Sequence, residues 1–206
     1  MVFFAACTSR QDEKKLILKT FGDYRRFTAL RQGRKAVQCI DAASVQYYAD
    51  LLPLILYADS ATVRSLSYDK GIIVFAVRHT TPVAEVQQLN GKTLFEKLVK
   101  MGLVNSDQEE WQKRYHLSVR MADDHNAEVE FLDTAGKAGV AFRFVKENDL
   151  WKLNIPSGLR FMPADVWSML EEQSGLSRTE LVAALVESLT GTRDTASVWQ
   201  PMVLQR

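Results

Sequence analysis

Three short stretches of this sequence carry side chains able to do chemistry. Asp123-Asp124-His125 sets two carboxylates beside an imidazole, the donor types that hold a divalent cation. Arg78-His79 sets a guanidinium beside an imidazole, which could meet an anion or a polar substrate, and Tyr47, Tyr48 and Asp50 put two phenols and a carboxylate within one turn of chain. A carboxylate of this kind serves as general acid or base when its surroundings tune its pKa. Neighbouring residues in one turn cannot readily converge on a single ion, so Asp123 to His125 reads as a turn and no metal is expected. Cations also collect at helix C-termini for electrostatic reasons, which gives Arg78 a structural reading beside the functional one. The glycines are dispersed, and the serines in TSR, LSYD and PSG lack the strand-to-helix glycine frame of a hydrolase nucleophile. No phosphate-cradling loop is present and no cofactor is expected.

The elements that must position these groups follow from periodicity. The chain is 47% hydrophobic, and its 26 basic and 25 acidic residues nearly cancel, so no charge excess points to nucleic acid. The aromatics interleave with apolar residues rather than with arginine, which argues against a stacking platform for single strands. LLPLILYA, residues 51–58, is fenced by Asp50 and Asp59 and is too short to cross a bilayer; it reads as a core helix. Phe21, Tyr24, Phe27 and Leu30 recur every three residues with Arg25, Arg26, Arg31, Arg34 and Lys35 between them, predicting an amphipathic helix from Leu16 to about Ile40, broken near Gly33. A second helix puts Ser44, Tyr48, Leu51, Leu52 and Ile55 on one face, with Pro53 as a kink. Ile72 to Val77 is rich in β-branched residues and by propensity is a strand; a helix from Ser67 to His79 is the rival reading. Thr81-Pro82 suits the entry to a short helix with proline in its first position, and Gly91 and Gly102 bracket KTLFEKLVKM as another.

From Tyr115 the period changes to two. Tyr115, Leu117, Val119 and Met121, then Ala127, Val129 and Phe131, then Phe142 and Phe144, then Trp151 and Leu153 form one apolar face across four consecutive strands. His116, Arg120, Glu128, Glu130, Arg143 and Lys152 fall on the other face, where cross-strand charge pairing suits them. After Pro156 the pattern returns to helix, from Pro163 to about Ser174 and from Ser177 to about Thr190, the latter opened by a Ser177–Glu180 capping box. This helical pair and the tail carrying Trp199 and Met202 are expected to pack beside the sheet and shield an edge, or to anchor a partner.

Helices followed by a meander that ends in FRFVKENDLWKLNIP resemble the NTF2-like (cystatin-like) superfamily, whose last hairpin reads roughly phenylalanine, polar turn, tryptophan, lysine and an apolar residue. LSYDKGIIVFAVRHTTPVAEVQQLNGKTLFEKLVKMGLV is similar to a helical insertion in bacterial members of uncharacterised role, and the likeness spans about Lys19 to Pro156. The resemblance implies an α+β fold in which N-terminal helices pack on a curved antiparallel meander sheet, a cone, followed by C-terminal helices. It makes Ile72 to Val77 helical, against propensity. It also implies a pocket between sheet and helices, for which Tyr48, Asp50, Arg78, Tyr115, Phe131, Phe142 and Trp151 are the candidates. No single activity follows, because the superfamily spans isomerases, dehydratases, transport adaptors, secretion components and immunity proteins.

The opening MVFFAACTSRQDEK bears on address. Phe4-Ala5-Ala6-Cys7 resembles a lipobox, in which small residues precede a cysteine that is lipidated; the basic and apolar parts of a signal would lie upstream if Met1 is internal to a longer reading frame. Residues 1–15 are then lipobox and polar tether, 16–156 the NTF2-like domain and 157–206 a helical extension. Cys39, among apolar neighbours, reads as a buried hydrophobe and not as a disulfide partner of Cys7. The expectation is a non-catalytic lipoprotein of the periplasm or outer membrane that binds a protein partner or an apolar small molecule, with no nucleic acid and no membrane contact beyond its anchor. The alternative is a cytoplasmic isomerase or dehydratase working through Asp50, Tyr115 or Arg78.

Overall fold

Ser9 starts the first helix: its side chain accepts the Asp12 N–H at 3.2 Å, and Asp12 and Glu13 lie in the first turn, where negative charge favours the helix N-terminus. The computed structural model describes residues 9–104, 116–159, 166–191 and 196–204. Helix α1 runs Arg10–Ala29, so most of the stretch expected to be a tether is already folded. It also ends before Gly33. Arg31, at φ 55°, turns the chain through the left-handed region, and the Gln32 N–H closes back on the Phe27 carbonyl at 2.8 Å. The break expected near Gly33 is thus present, and the stretch to Ile40 is α1, a reversal, α2 (Gly33–Ala36) and a 3-10 turn, Val37–Cys39. Gly33 is required by packing, because a Cβ there would lie 2.4 Å from the Glu96 carbonyl oxygen.

Asp41 caps α3 (Ala42–Tyr57), which continues through Pro53 on its exposed flank. Short α4 (Ser60–Ser65) follows, capped by Asp59, and then α5 (Tyr68–Thr80). The β-branched run is thus helix. Val74, Phe75, Ala76 and Val77 are all at most 1% exposed, so burial on every side within the helical layer overrides strand propensity. Pro82 is the N-cap of α6 (Val83–Val86) rather than its first residue. Helix α7 (Gly91–Met101) opens with an Asn90–Thr93 capping box and closes at Gly102, φ 80°.

Strands β1 (His116–Met121), β2 (Asn126–Leu132), β3 (Ala138–Glu147) and β4 (Leu150–Asn154) form a four-stranded antiparallel meander in sequence order, and the fold is α+β. The register Val119↔Val129↔Phe142 and Met121↔Ala127↔Phe144↔Leu153 puts the predicted apolar set on one face. Helix α1 covers that inner face. Phe21 inserts among Phe131, Phe142 and Phe144 with ring centroids 5.6–6.0 Å apart. Burying such a ring is worth about 2–3 kcal/mol, so these contacts fix the helix on the sheet.

Beyond β4 the chain forms α8 (Ile155–Leu159), which lies along β3 where β4 has ended; the Ser157 hydroxyl accepts the Arg143 N–H at 2.9 Å. This side of β3 is therefore shielded by α8, and the edge of β4 by Ile40, which bridges Leu153, and Asp41, whose N–H binds the Leu153 carbonyl at 3.0 Å. Helices α9 (Val166–Ser174) and α10 (Arg178–Thr190) and the tail pack instead on α5. Trp167 meets Tyr68 at 4.9 Å, and Trp199 meets Phe75 at 4.9 Å beneath the Arg64 guanidinium. One continuous buried cluster extends from Ile17 to Trp199, so the C-terminal extension shares the core. Among the described residues no helix is long and apolar enough to cross a membrane.

Candidate functional site

Helix α5 carries Arg78 into the interior, where it is 6% exposed. Its Nε donates to the Ile55 carbonyl at 2.8 Å, Nη1 to Val198 at 3.1 Å and Gln200 at 2.7 Å, and Nη2 to Leu54 and Ala58 at 2.7 Å each. A guanidinium has five N–H donors, and all five are used. Three of these acceptors, Leu54, Ile55 and the C-cap Ala58, lie at the end of α3, where Leu54 also accepts the Ala58 N–H at 3.3 Å; two belong to the tail. Arg78 is a staple between them and has no donor left for a substrate anion. Burial pushes its pKa down to about 10.

Tyr48 is buried on α3, its ring 5.1 Å from Phe95 and 5.2 Å from Tyr47, and burial raises its pKa well above the usual phenol value. The Tyr47 hydroxyl donates to Asp69 at 2.6 Å and pins α3 to the first turn of α5; burial and that hydrogen bond raise its pKa as well. Asp50 points away from this cluster, exposed, and accepts from Gln46 Nε2 at 2.7 Å. Phe131 and Phe142 meet at 5.8 Å in the aromatic cluster around Phe21. Trp151 sits toward the β3–β4 turn, 3% exposed, and its indole N–H donates to Glu13. The described candidates thus divide among four places: Phe131 and Phe142 under α1, Trp151 at the hairpin, Tyr48 and Arg78 within the helical layer, and Asp50 on its surface. Tyr115 and Cys7 lie outside the described residues.

Two polar constellations were not anticipated. Glu13 of α1 accepts from Trp151 and from Lys146 Nζ at 2.9 Å, and the Lys146 and Glu13 side chains are 18% and 13% exposed. Extending the alternation Phe142, Phe144 by two residues reaches Lys146, so its inward placement was available from the sequence; Glu13 as its partner was not. In the second, Asp41 Oδ1 accepts the Ser44 N–H at 2.7 Å and the Ser44 hydroxyl, while Oδ2 accepts Asn154 Nδ2 at 2.6 Å. Ser44 Oγ in turn receives the Ile155 N–H at 2.8 Å. This buried knot ties the start of α3 to the end of β4. An aspartate with serine three residues on is the visible sign of the cap, but the strand partner has none.

On the solvent face of the sheet, Arg120 bridges Glu128 and Glu130, the cross-strand pairing the alternation implied. Beside it lies a hollow of about 350 Å³ lined by Asp123, Asn126, Glu128, Ala141, Arg143 and Ser157. Arg143 Nη2 donates to Asn126 Oδ1 at 2.6 Å, and Asn126 Nδ2 donates to both Asp123 oxygens at 3.0 Å. Asp123 also accepts the His125 and Asn126 N–H groups, which lowers its pKa, so the Asp-Asp-His stretch is a hydrogen-bonded turn. Among the described residues no three His, Cys, Asp or Glu side chains gather as metal ligands would. Cys39 is a free buried thiol whose pKa burial raises to about 11, leaving it protonated and unreactive at neutral pH.

No protein-family model matches this chain, and comparison with curated proteins and with solved structures finds no match.

Proposed function

We propose that the chain is an NTF2-like, non-catalytic binding protein of a bacterial envelope, held there through a lipidated Cys7, and that its ligand is another protein. The observation that carries this reading is Phe21. Its ring occupies the inner face of the sheet between Phe131, Phe142 and Phe144, the place where a small-molecule site of this superfamily would need open volume. With that face packed by the protein's own helix, recognition falls to the outside of the fold. The rival isomerase or dehydratase reading loses support from Arg78, whose donors are spent on carbonyls, and from Asp50, which faces solvent.

Because α1 begins at Arg10, only Thr8 and Ser9 separate Cys7 from the helix, and an anchored domain would stand against the membrane rather than on a leash. The test is the intact mass of protein expressed from the longest upstream reading frame and purified from the envelope in detergent. A mature chain starting at Cys7 with added acyl mass, lost in Cys7→Ser, supports the reading. A chain starting at Met1 without added mass removes it, and turnover of small carbonyl or hydroxy compounds by that chain would replace it with the enzymatic alternative.

A further inference from the structure

We infer that the corner where α1 turns into α2 is the docking surface for an acidic segment of the protein partner. This deepens the reading above by giving the partner a chemistry. Between Asp23 and Asp41 the sequence holds Arg25, Arg26, Arg31, Arg34 and Lys35 and no acidic residue, although basic and acidic residues in the whole chain nearly cancel. Arg25 is buried, and the fold brings the other four to the surface. Arg26 shares Asp23 at 2.8 Å, but Arg31, Arg34 and Lys35 have no carboxylate within ion-pair distance among the described residues.

The reversal at Arg31 is what concentrates this charge. Its left-handed backbone folds α2 back on α1 and lays its guanidinium over Gly102 at the end of α7, where a Cβ would come within 3.2 Å; exposed Lys100 adds a cation two residues away. An apolar foothold lies among these groups. Leu30 is 60% exposed, and half-buried Phe27 lies under Arg26 and Lys35, 4.9 and 5.6 Å from its ring centroid. Cations that have no ion-pair partner among the described residues (Arg31, Arg34 and Lys35), set around an exposed leucine and an aromatic ring, match a peptide with carboxylates flanking an apolar side chain.

A membrane surface fits less well. The outward ridge of α1 is neutralised within itself by Lys15–Asp12, Lys19–Asp23 and Arg26–Asp23, and exposed Leu16 and Leu18 fall on opposite flanks of the helix. No continuous apolar stripe is left to enter a bilayer.

The test is fluorescence anisotropy of the full chain with a labelled synthetic peptide of alternating Asp and Glu around one Leu. We expect saturable binding that weakens about tenfold in the combined variant Arg31→Glu, Arg34→Glu, Lys35→Glu and again on raising ionic strength, since the Debye length shortens to about 8 Å at physiological salt. Leu30→Ser should weaken it about threefold, and reversal of the exposed Arg10 and Lys15, about 20–30 Å away along α1, should leave it unchanged. Thermal unfolding of each variant separates lost binding from lost folding, and Arg→Gln and Lys→Gln versions replace any reversal that fails to fold. No saturable binding, an equal loss with the distant reversals, or tighter binding to phosphatidylglycerol vesicles than to the peptide would each overturn the inference. An unlipidated chain that binds at this corner keeps the surface and loses the envelope address; a lipidated chain that does not bind loses this surface alone.

Discussion

Tyr24, Tyr47 and Tyr48 are phenols whose proton the fold retains. Burial is the main cause at all three, assisted at Tyr47 by the bond to Asp69, and each pKa is raised. Below about pH 10 the unfolded chain keeps these protons too, and nothing distinguishes the states; above it the unfolded phenols ionise while the folded ones do not. Stability therefore falls as pH rises past the unfolded tyrosine pKa. In an alkaline titration followed by tyrosinate absorbance, at least these three of the six tyrosines should ionise only as the fold is lost, and reversible ionisation of all six in folded protein would contradict the packing. Arg78 offers a second prediction. Arg78→Met removes a donor from five carbonyls, of which Leu54 keeps the Ala58 N–H, and should cost roughly 3 kcal/mol in urea unfolding, while Arg78→Lys, with three donors on a flexible stem, should recover only part. The Arg78 partners were not legible in the sequence, because a backbone carbonyl accepts without regard to the side chain it belongs to.

Glycine meets opposite demands in two helices. A Cβ on Gly91, at the start of α7, would lie 2.1 Å from the Val45 carbonyl oxygen and 3.0 Å from the Ala49 nitrogen, backbone atoms of α3 that cannot step aside. Gly22, on the exposed face of α1, would meet nothing within 4 Å. Gly91→Ala should thus destabilise by about 3 kcal/mol, whereas Gly22→Ala should stabilise by about 0.5–1 kcal/mol through better helix propensity, both read as shifts in the urea midpoint at constant slope. Both glycines look alike in sequence, and only the crossing of α3 and α7 separates them. The meander was legible for the opposite reason: alternation at Val119, Val129, Phe142 and Phe144 reports a property of each strand by itself, and one-sided cover follows from it. Ile72 to Val77 was not legible from propensity, since a helix buried on all sides and a buried strand share one composition.

The molecule is closed by contacts between distant parts of the chain. Residues 10–15 belong to the fold through Glu13, which holds Lys146 and Trp151 across the hairpin. Glu13→Ala should cost about 2 kcal/mol by leaving Lys146 nearly buried without its partner, with faster amide exchange in β3 and β4; a free tether would show neither. At the other end, Trp199 covers Phe75 and the Val203 N–H binds the Leu56 carbonyl at 3.0 Å, so deleting residues from 196 onward should lower the melting temperature and expose α5 to protease. The Arg78 staple also orders events during synthesis. Its two tail acceptors are made 120 and 122 residues after Arg78 itself, so a nascent chain holds Phe75 uncovered and two guanidinium N–H groups waiting until residue 200 has left the exit tunnel. Emergence of this tail, rather than completion of α5, is then the moment at which the helical layer closes, and until that moment this greasy helix is a target for chaperones.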